Sequence, residues 1–139
     1  MAYATYQDMI DRFGSYELTA LTDRTGTGEP DAAVIGVRLA DATALVEGYV
    51  GARYRLPLDP VPPSIAGIVC DIARHMLYKD DPSAAVASAY ASAMRTLRDV
   101  ASGVFRLEAA GIADAAIPNR IASVADKPIF TDDALAGYR

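Results

Sequence analysis

Few side chains in this 139-residue sequence are of types that do chemistry: one histidine, one cysteine and a scatter of carboxylates. His75 has only Asp71 at ligand spacing on its own helix face, at most half of a metal site, so a structural or solvent-facing role is expected for it. Cys70 lies among Val69, Ile72 and Ala73, where a thiol without a neighbouring base stays protonated and inert. The acidic pairs Asp80-Asp81 and Asp132-Asp133 have the look of metal or acid/base pairs, but each precedes an expected helix start, and N-capping accounts for both. The segment from Asp23 comes nearest to a ligand loop. Asp23, Thr25, Thr27, Gly28 and Glu29 fall at positions one, three, five, six and seven of a calcium loop of the EF-hand type, yet position twelve, where calcium needs a bidentate carboxylate, is Val34. A plain turn is the better reading. Gly26 and Gly28 also lack the preceding strand and the Lys-Ser/Thr ending of a phosphate loop. The sequence therefore implies no catalytic residue, no metal and no cofactor.

The elements that would position these residues are helical. Thr5 and Asp8 have the spacing of a short capping box ahead of Met9, Ile10 and Phe13, and Gly14 stands where a helix ends in a positive-φ residue. Ser15 is expected to cap a second short helix through Leu18 and Leu21, followed by a polar loop over residues 22–31. Asp31 opens the longest predicted helix, about 32–54, with Ile35, Leu39, Ala42, Val46 and Tyr49 at 3.6-residue spacing. Gly36, Gly48 and Gly51 weaken it at roughly 1 kcal/mol each, which implies close approach of a neighbouring backbone. Residues 56–63 hold four of the eight prolines and form an extended connection.

Pro63 and Ser64 begin the central core helix, whose stripe is Ile65, Ile68, Val69, Ile72 and Met76. Asp81 as N-cap and Pro82 as first helical residue open a third long helix striped by Val86, Tyr90, Ala93, Leu97 and Val100. Gly103 ends it, and Val104-Phe105-Arg106-Leu107-Glu108 alternates like a short strand. Beyond residue 108 the periodicity fades. The large apolar groups Ile129, Phe130, Leu135 and Tyr138 stand in a segment that cannot bury them locally, which suits docking on a partner.

Composition agrees. The 27 alanines and absence of tryptophan favour closely packed helices, and the length suits one core with no room for a second. The fold class is thus all-α, a small bundle of three long helices and short N-terminal helices, with a short β segment and an extended C-terminal tail. Residues 1–108 form the bundle and 109–139 the docking tail. A net charge of −5 argues against a duplex-binding regulator, and one cysteine fits a reducing compartment. No apolar run is long enough to cross a bilayer, and no export signal opens the chain. A small hydrolase would need convergent polar groups that these residues do not supply.

Several segments in order resemble a known family. They are Met1-Ala2-Tyr3-Ala4-Thr5 with Asp8-Met9-Ile10 and Arg12-Phe13-Gly14, then Leu21-Thr22-Asp23-Arg24, Gly48-Tyr49 with Arg53-Tyr54-Arg55-Leu56-Pro57-Leu58, Val61-Pro62-Pro63, Asp71-Ile72-Ala73-Arg74 with Leu77-Tyr78, and Leu97-Arg98-Asp99-Val100 with Gly103. Together they resemble small virion proteins of Mu-like phages and prophages. The chain departs from them at Thr25 and Thr27, where relatives often carry Asp in a truer calcium loop. The resemblance implies a structural, non-enzymatic adaptor of the head-tail connector in the virion neck, assembled in the host cytoplasm. It implies a ring, expected to hold twelve copies, beneath the portal protein and above a tail-side neck protein such as a stopper or tail terminator, with DNA passing through unheld and no membrane partner. Ile129, Phe130, Leu135 and Tyr138 would dock on the portal, and Tyr49, Arg53 and Tyr54 would lie at the subunit interface. The alternative in the same neck is a stopper or tail-completion protein, a class expected to be built around β-sheet.

Overall fold

The computed structural model describes residues 2–107, which form five helices and no strand. In chain order these are α1 (Tyr6–Phe13), α2 (Ser15–Thr22), α3 (Ala32–Val50), α4 (Pro63–Leu77) and α5 (Ala84–Ser102). The all-α bundle expected from the apolar periodicity is the fold observed. No helix among the described residues is long and apolar enough to cross a membrane.

The central position of α4 follows from its composition. Ile65, Ile68, Val69, Cys70, Ile72, Ala73 and Leu77 are all buried, and α4 packs on both α3 and α5. Full burial of an aliphatic side chain is worth about 1.5–3 kcal/mol, so this stripe makes α4 the element around which the others assemble. α3 contributes Ile35, Leu39, Ala42, Val46 and Val50, and α5 contributes Val86, Ala93, Leu97 and Val100. Arg53, just past α3, lies against Gly103 at the end of α5, and Pro63 at the start of α4 shares a groove with Val104. α4 therefore runs antiparallel to the other two long helices.

The caps show where local rules held and where tertiary structure shifted them. Thr5 and Asp8 make the expected capping box, with Asp8 N–H donating to Thr5 Oγ1 at 3.1 Å and Thr5 N–H donating to Asp8 Oδ2 at 2.7 Å. Asp31 caps α3 by accepting from the amides of Ala33 and Val34. Ser15, expected to cap α2, is instead its first residue, and Gly14 at φ +86° stands at the cap without a side-chain bond. At α5 the cap is Ser83, whose Oγ accepts from Val86 N–H at 3.3 Å, while Asp80 and Asp81 are exposed before it. Leaving Pro82 ahead of the helix costs no intrahelical bond, and the short Ser83 hydroxyl reaches the first turn directly.

Three further expectations are corrected. α3 ends at Val50 rather than residue 54, because Ala52 and Arg53 donate to carbonyls three residues back and Tyr54 turns into the core at 6 % exposure. The short strand expected at Val104–Glu108 does not form over 104–107, which follow the left-handed Gly103 as a bend and irregular backbone. Phe105 N–H donates to the Asp99 carbonyl at 3.1 Å, tying this stretch back to its own helix instead of to a strand partner. Among the described residues nothing lies within 4 Å of where a Cβ would stand at Gly36 or Gly48, so the expected close approach is not seen there, whereas at Gly51 a Cβ would meet the Glu47 carbonyl at 2.9 Å and the Leu56 side chain at 3.0 Å.

Candidate functional site

The chemistry-bearing residues of the sequence are absorbed one by one into packing and turns. Cys70 is fully buried in α4, and burial pushes its thiol up to about 11. His75, half-buried, stacks its ring on Tyr90 of α5 with centroids 4.0 Å apart and planes 16° from parallel. Asp71, its one candidate co-ligand, has its carboxyl raised by burial, with Arg12 and Arg74 opposing the shift. Among the described residues no three His, Cys, Asp or Glu side chains stand close enough together to hold a metal ion.

The Asp23 loop shows why its sequence imitates a ligand loop. Asp23 Oδ1 accepts from Gly26 N–H at 3.1 Å and from the amide and hydroxyl of Thr27, each at 3.0 Å, while Oδ2 accepts from Gly28 N–H at 2.8 Å. These donors, with the Gly28 amide foremost, hold the carboxyl below its ordinary range. The carboxylate that would begin a calcium loop here organises the loop by itself.

Two side-chain networks were not anticipated from the sequence. In the first, Arg74 of α4 donates to both oxygens of Glu17 on α2, Nε to Oε2 at 2.6 Å and Nη2 to Oε1 at 2.8 Å. Its guanidinium carbon lies 4.4 Å from the centre of the Phe13 ring, so one arginine fixes the α1–α2 corner to the central helix by charge and by ring contact. The hydrogen bond from Arg74 holds the Glu17 carboxyl below its ordinary range. In the second, Tyr3 N–H donates to Thr43 Oγ1 at 3.0 Å, while its hydroxyl donates to Glu47 Oε2 at 2.6 Å and accepts from Leu58 N–H at 2.9 Å. Burial, foremost, and the Glu47 bond push this phenol up to about 12. The signal available for both was a tyrosine or arginine beside an apolar stripe, with its partner 40 to 57 residues away.

Of the residues expected at a subunit interface, Tyr49 is half-buried against the core and Arg53 lies against Gly103, where an added Cβ would come within 2.8 Å of its guanidinium carbon. Tyr54 serves the subunit itself, since its buried hydroxyl accepts from Leu107 N–H at 3.0 Å. All three gather where α3 ends. Ile129, Phe130, Leu135, Tyr138 and the Asp132-Asp133 pair lie outside the described residues.

The outer face of α3 is exposed and has no role in the core. Ala33, Gly36, Val37, Ala40, Ala44 and Gly48 are exposed along it, with Val37 at 57 %. Cys70 and His75 are thus taken up by packing and Asp23 by its own loop, while α3 shows a smooth outer face of small residues. Comparison with known proteins supplies the particular relationship. The family described as Bacteriophage Mu, Gp36 matches residues 3–125, and the chain belongs to it. It is 36 % identical over 104 residues to "Gene product J" of Escherichia phage Mu, covering 74 % of each chain. To "Mu-like prophage FluMu protein gp36" of Haemophilus influenzae it is 31 % identical over 105 residues, covering 76 % of this chain and 74 % of that one.

Proposed function

We propose that this Mu-like phage protein is a structural subunit of the virion neck, an adaptor that forms a homo-oligomeric ring beneath the portal and joins it to the tail-side neck protein. The observation that carries the reading is the outer face of α3. Two glycines there weaken the helix by roughly 1 kcal/mol each against Ala, and none of the described residues occupies the space they leave. A ring built from one kind of subunit needs contact between two different faces of the chain, and a smooth helix face lets a neighbouring copy approach closely. Tyr49 and Arg53, where α3 ends, would extend that contact. The acidic balance of the chain, −5 overall, suits a channel that passes DNA without holding it. The wholly helical character of the described residues supports an adaptor over the strand-rich stopper.

The test is the native mass of the purified chain, alone and mixed with its cognate portal. A portal-bound ring is expected, twelve copies being the anticipated number, and deletion of residues 119–139 is expected to abolish attachment through Ile129, Phe130, Leu135 and Tyr138. Substituting Gly36→Ala and Gly48→Ala should stabilise the isolated chain while weakening ring formation. A full-length chain that ignores the portal would overturn the reading. Rings formed equally well by the alanine variants would remove the α3 face from the interface.

A further inference from the structure

The end of the bundle where α3 and α5 finish and α4 begins carries surface that packing does not use. Val104 and Phe105 are 77 % and 41 % exposed, and with Pro62 and Pro63 they wall a groove of about 490 Å³ that Ser64 and Arg106 also line. Among the described residues no side chain caps the first turn of α4, which opens on this groove with the Ile65 amide bonded to the Pro62 carbonyl at 3.0 Å. The positive end of that helix adds to Arg106 a cationic rim around an apolar floor. Arg55 and Arg98 are exposed at the same end.

An occupant is present in the same chain. Leu107, held by its amide to Tyr54, is the residue after Arg106, so the described part of the chain ends beside the groove with residues 108–139 still to follow in sequence. Within them Ile129-Phe130-Thr131-Asp132-Asp133-Ala134-Leu135 has the complementary make-up: three large apolar side chains around two carboxylates and no basic residue. The 21 residues from 108 to 128 reach roughly 70 Å when extended, ample to bring that segment back. A tether of this kind supplies roughly millimolar effective concentration, enough to close a contact too weak to form between separate molecules.

We propose that in the free chain residues 129–135 occupy this groove on their own subunit. Phe130 rests on Val104 and Phe105, and Asp132 and Asp133 face Arg106 and the uncapped start of α4. This extends the neck reading, because the residues assigned there to the portal are covered until a partner competes for them. It concerns the isolated chain and is tested without the portal, so either reading can fail while the other stands.

The chain contains no tryptophan, so Phe130→Trp in the full-length protein provides a single indole reporter. The expected result is blue-shifted emission, poorly quenched by acrylamide and unchanged on dilution. Adding Arg106→Glu, at an exposed position, should move the emission to that of a solvated indole, and further adding Asp132→Arg and Asp133→Arg should restore the blue shift. Solvated emission from Phe130→Trp in a chain that remains helical by circular dichroism would overturn the proposal. A blue shift indifferent to Arg106→Glu would do so as well, since the segment would then sit elsewhere. A blue shift lost on dilution would assign the groove to the tail of a second copy and equally overturn the intramolecular contact.

Discussion

The polar loop before α3 and the connection between α3 and α4 are both long crossings, and they are held in opposite ways. In the first, residues 23–31, a single exposed carboxylate gathers the amides of Gly26, Thr27 and Gly28 around itself. Its ties to the rest of the molecule are at its two ends, where Asp23 N–H donates to the Thr19 carbonyl at 2.9 Å and Asp31 N–H donates to Thr22 Oγ1 at 2.8 Å. In the second, residues 51–62, Tyr54 and Leu58 are buried in the core, and the Leu58 amide is bound by the hydroxyl of Tyr3 from the other end of the chain. The first is a local solution that any sequence offering an acceptor and two positive-φ glycines could reach. The second is a joint between three distant parts of the chain, and its residues are not interchangeable.

The sharpest way to break the contrast is to remove an anchor of the second connection. Leu58 is 3 % exposed, and Leu58→Ala should lower unfolding stability by about 2–5 kcal/mol, as for other buried leucines. Urea unfolding followed by circular dichroism checks it. A loss below 1 kcal/mol would show the connection to be as loosely attached as the first.

Tyr3→Phe is expected to follow at about 1–3 kcal/mol, because it strands the buried Leu58 amide and removes the donor from Glu47. The pH dependence has a definite sign. The folded state raises the phenol from 10.0 to about 12, so it favours the neutral form; the associated stability is complete below pH 10 and is lost as pH rises from 10 to 12. Alkaline unfolding measured against pH should lose that part of its slope in Tyr3→Phe. An unchanged slope would mean that the Tyr3 hydroxyl does not hold the connection.

How much of this was legible depends on the range of the interaction. The stripes of α3, α4 and α5 repeat every three or four residues and could be read directly, as could the caps Thr5 and Asp31, whose partners lie two or three residues away. The end of α3 could not, because Tyr54 leaves the helix to meet Leu107, 53 residues later. Tyr3 is the clearer case. Its hydroxyl partners are 44 and 55 residues away on two different elements, so no local spacing records them. Gly36 and Gly48 imply close packing by composition, and the described residues make none there, since a glycine in a stripe has the same local pattern whether or not anything approaches it. The Asp23 loop was ambiguous for a related reason: a carboxylate near glycines and threonines has the same local pattern whether it binds an ion or its own backbone.

Asp23 is where the smallest effect is expected, and it tests the other half of the comparison. With the carboxylate exposed and its four accepted bonds all inside the loop, Asp23→Ala should leave the urea midpoint almost unmoved while amide exchange at Gly26, Thr27 and Gly28 accelerates. Acid should act in the same sense. The lowered carboxyl binds those amides as an anion, so loop protection should persist below the ordinary carboxylate pKa and vanish as pH falls through the depressed one. Calcium should slow exchange in neither protein, because the oxygens it would need are already committed to backbone donors and Val34 offers none at the closing position. If Asp23→Ala instead lowered the stability of the whole bundle as much as Tyr3→Phe, the loop would be a joint like the second connection, and the division between a local and a long-range crossing would fail.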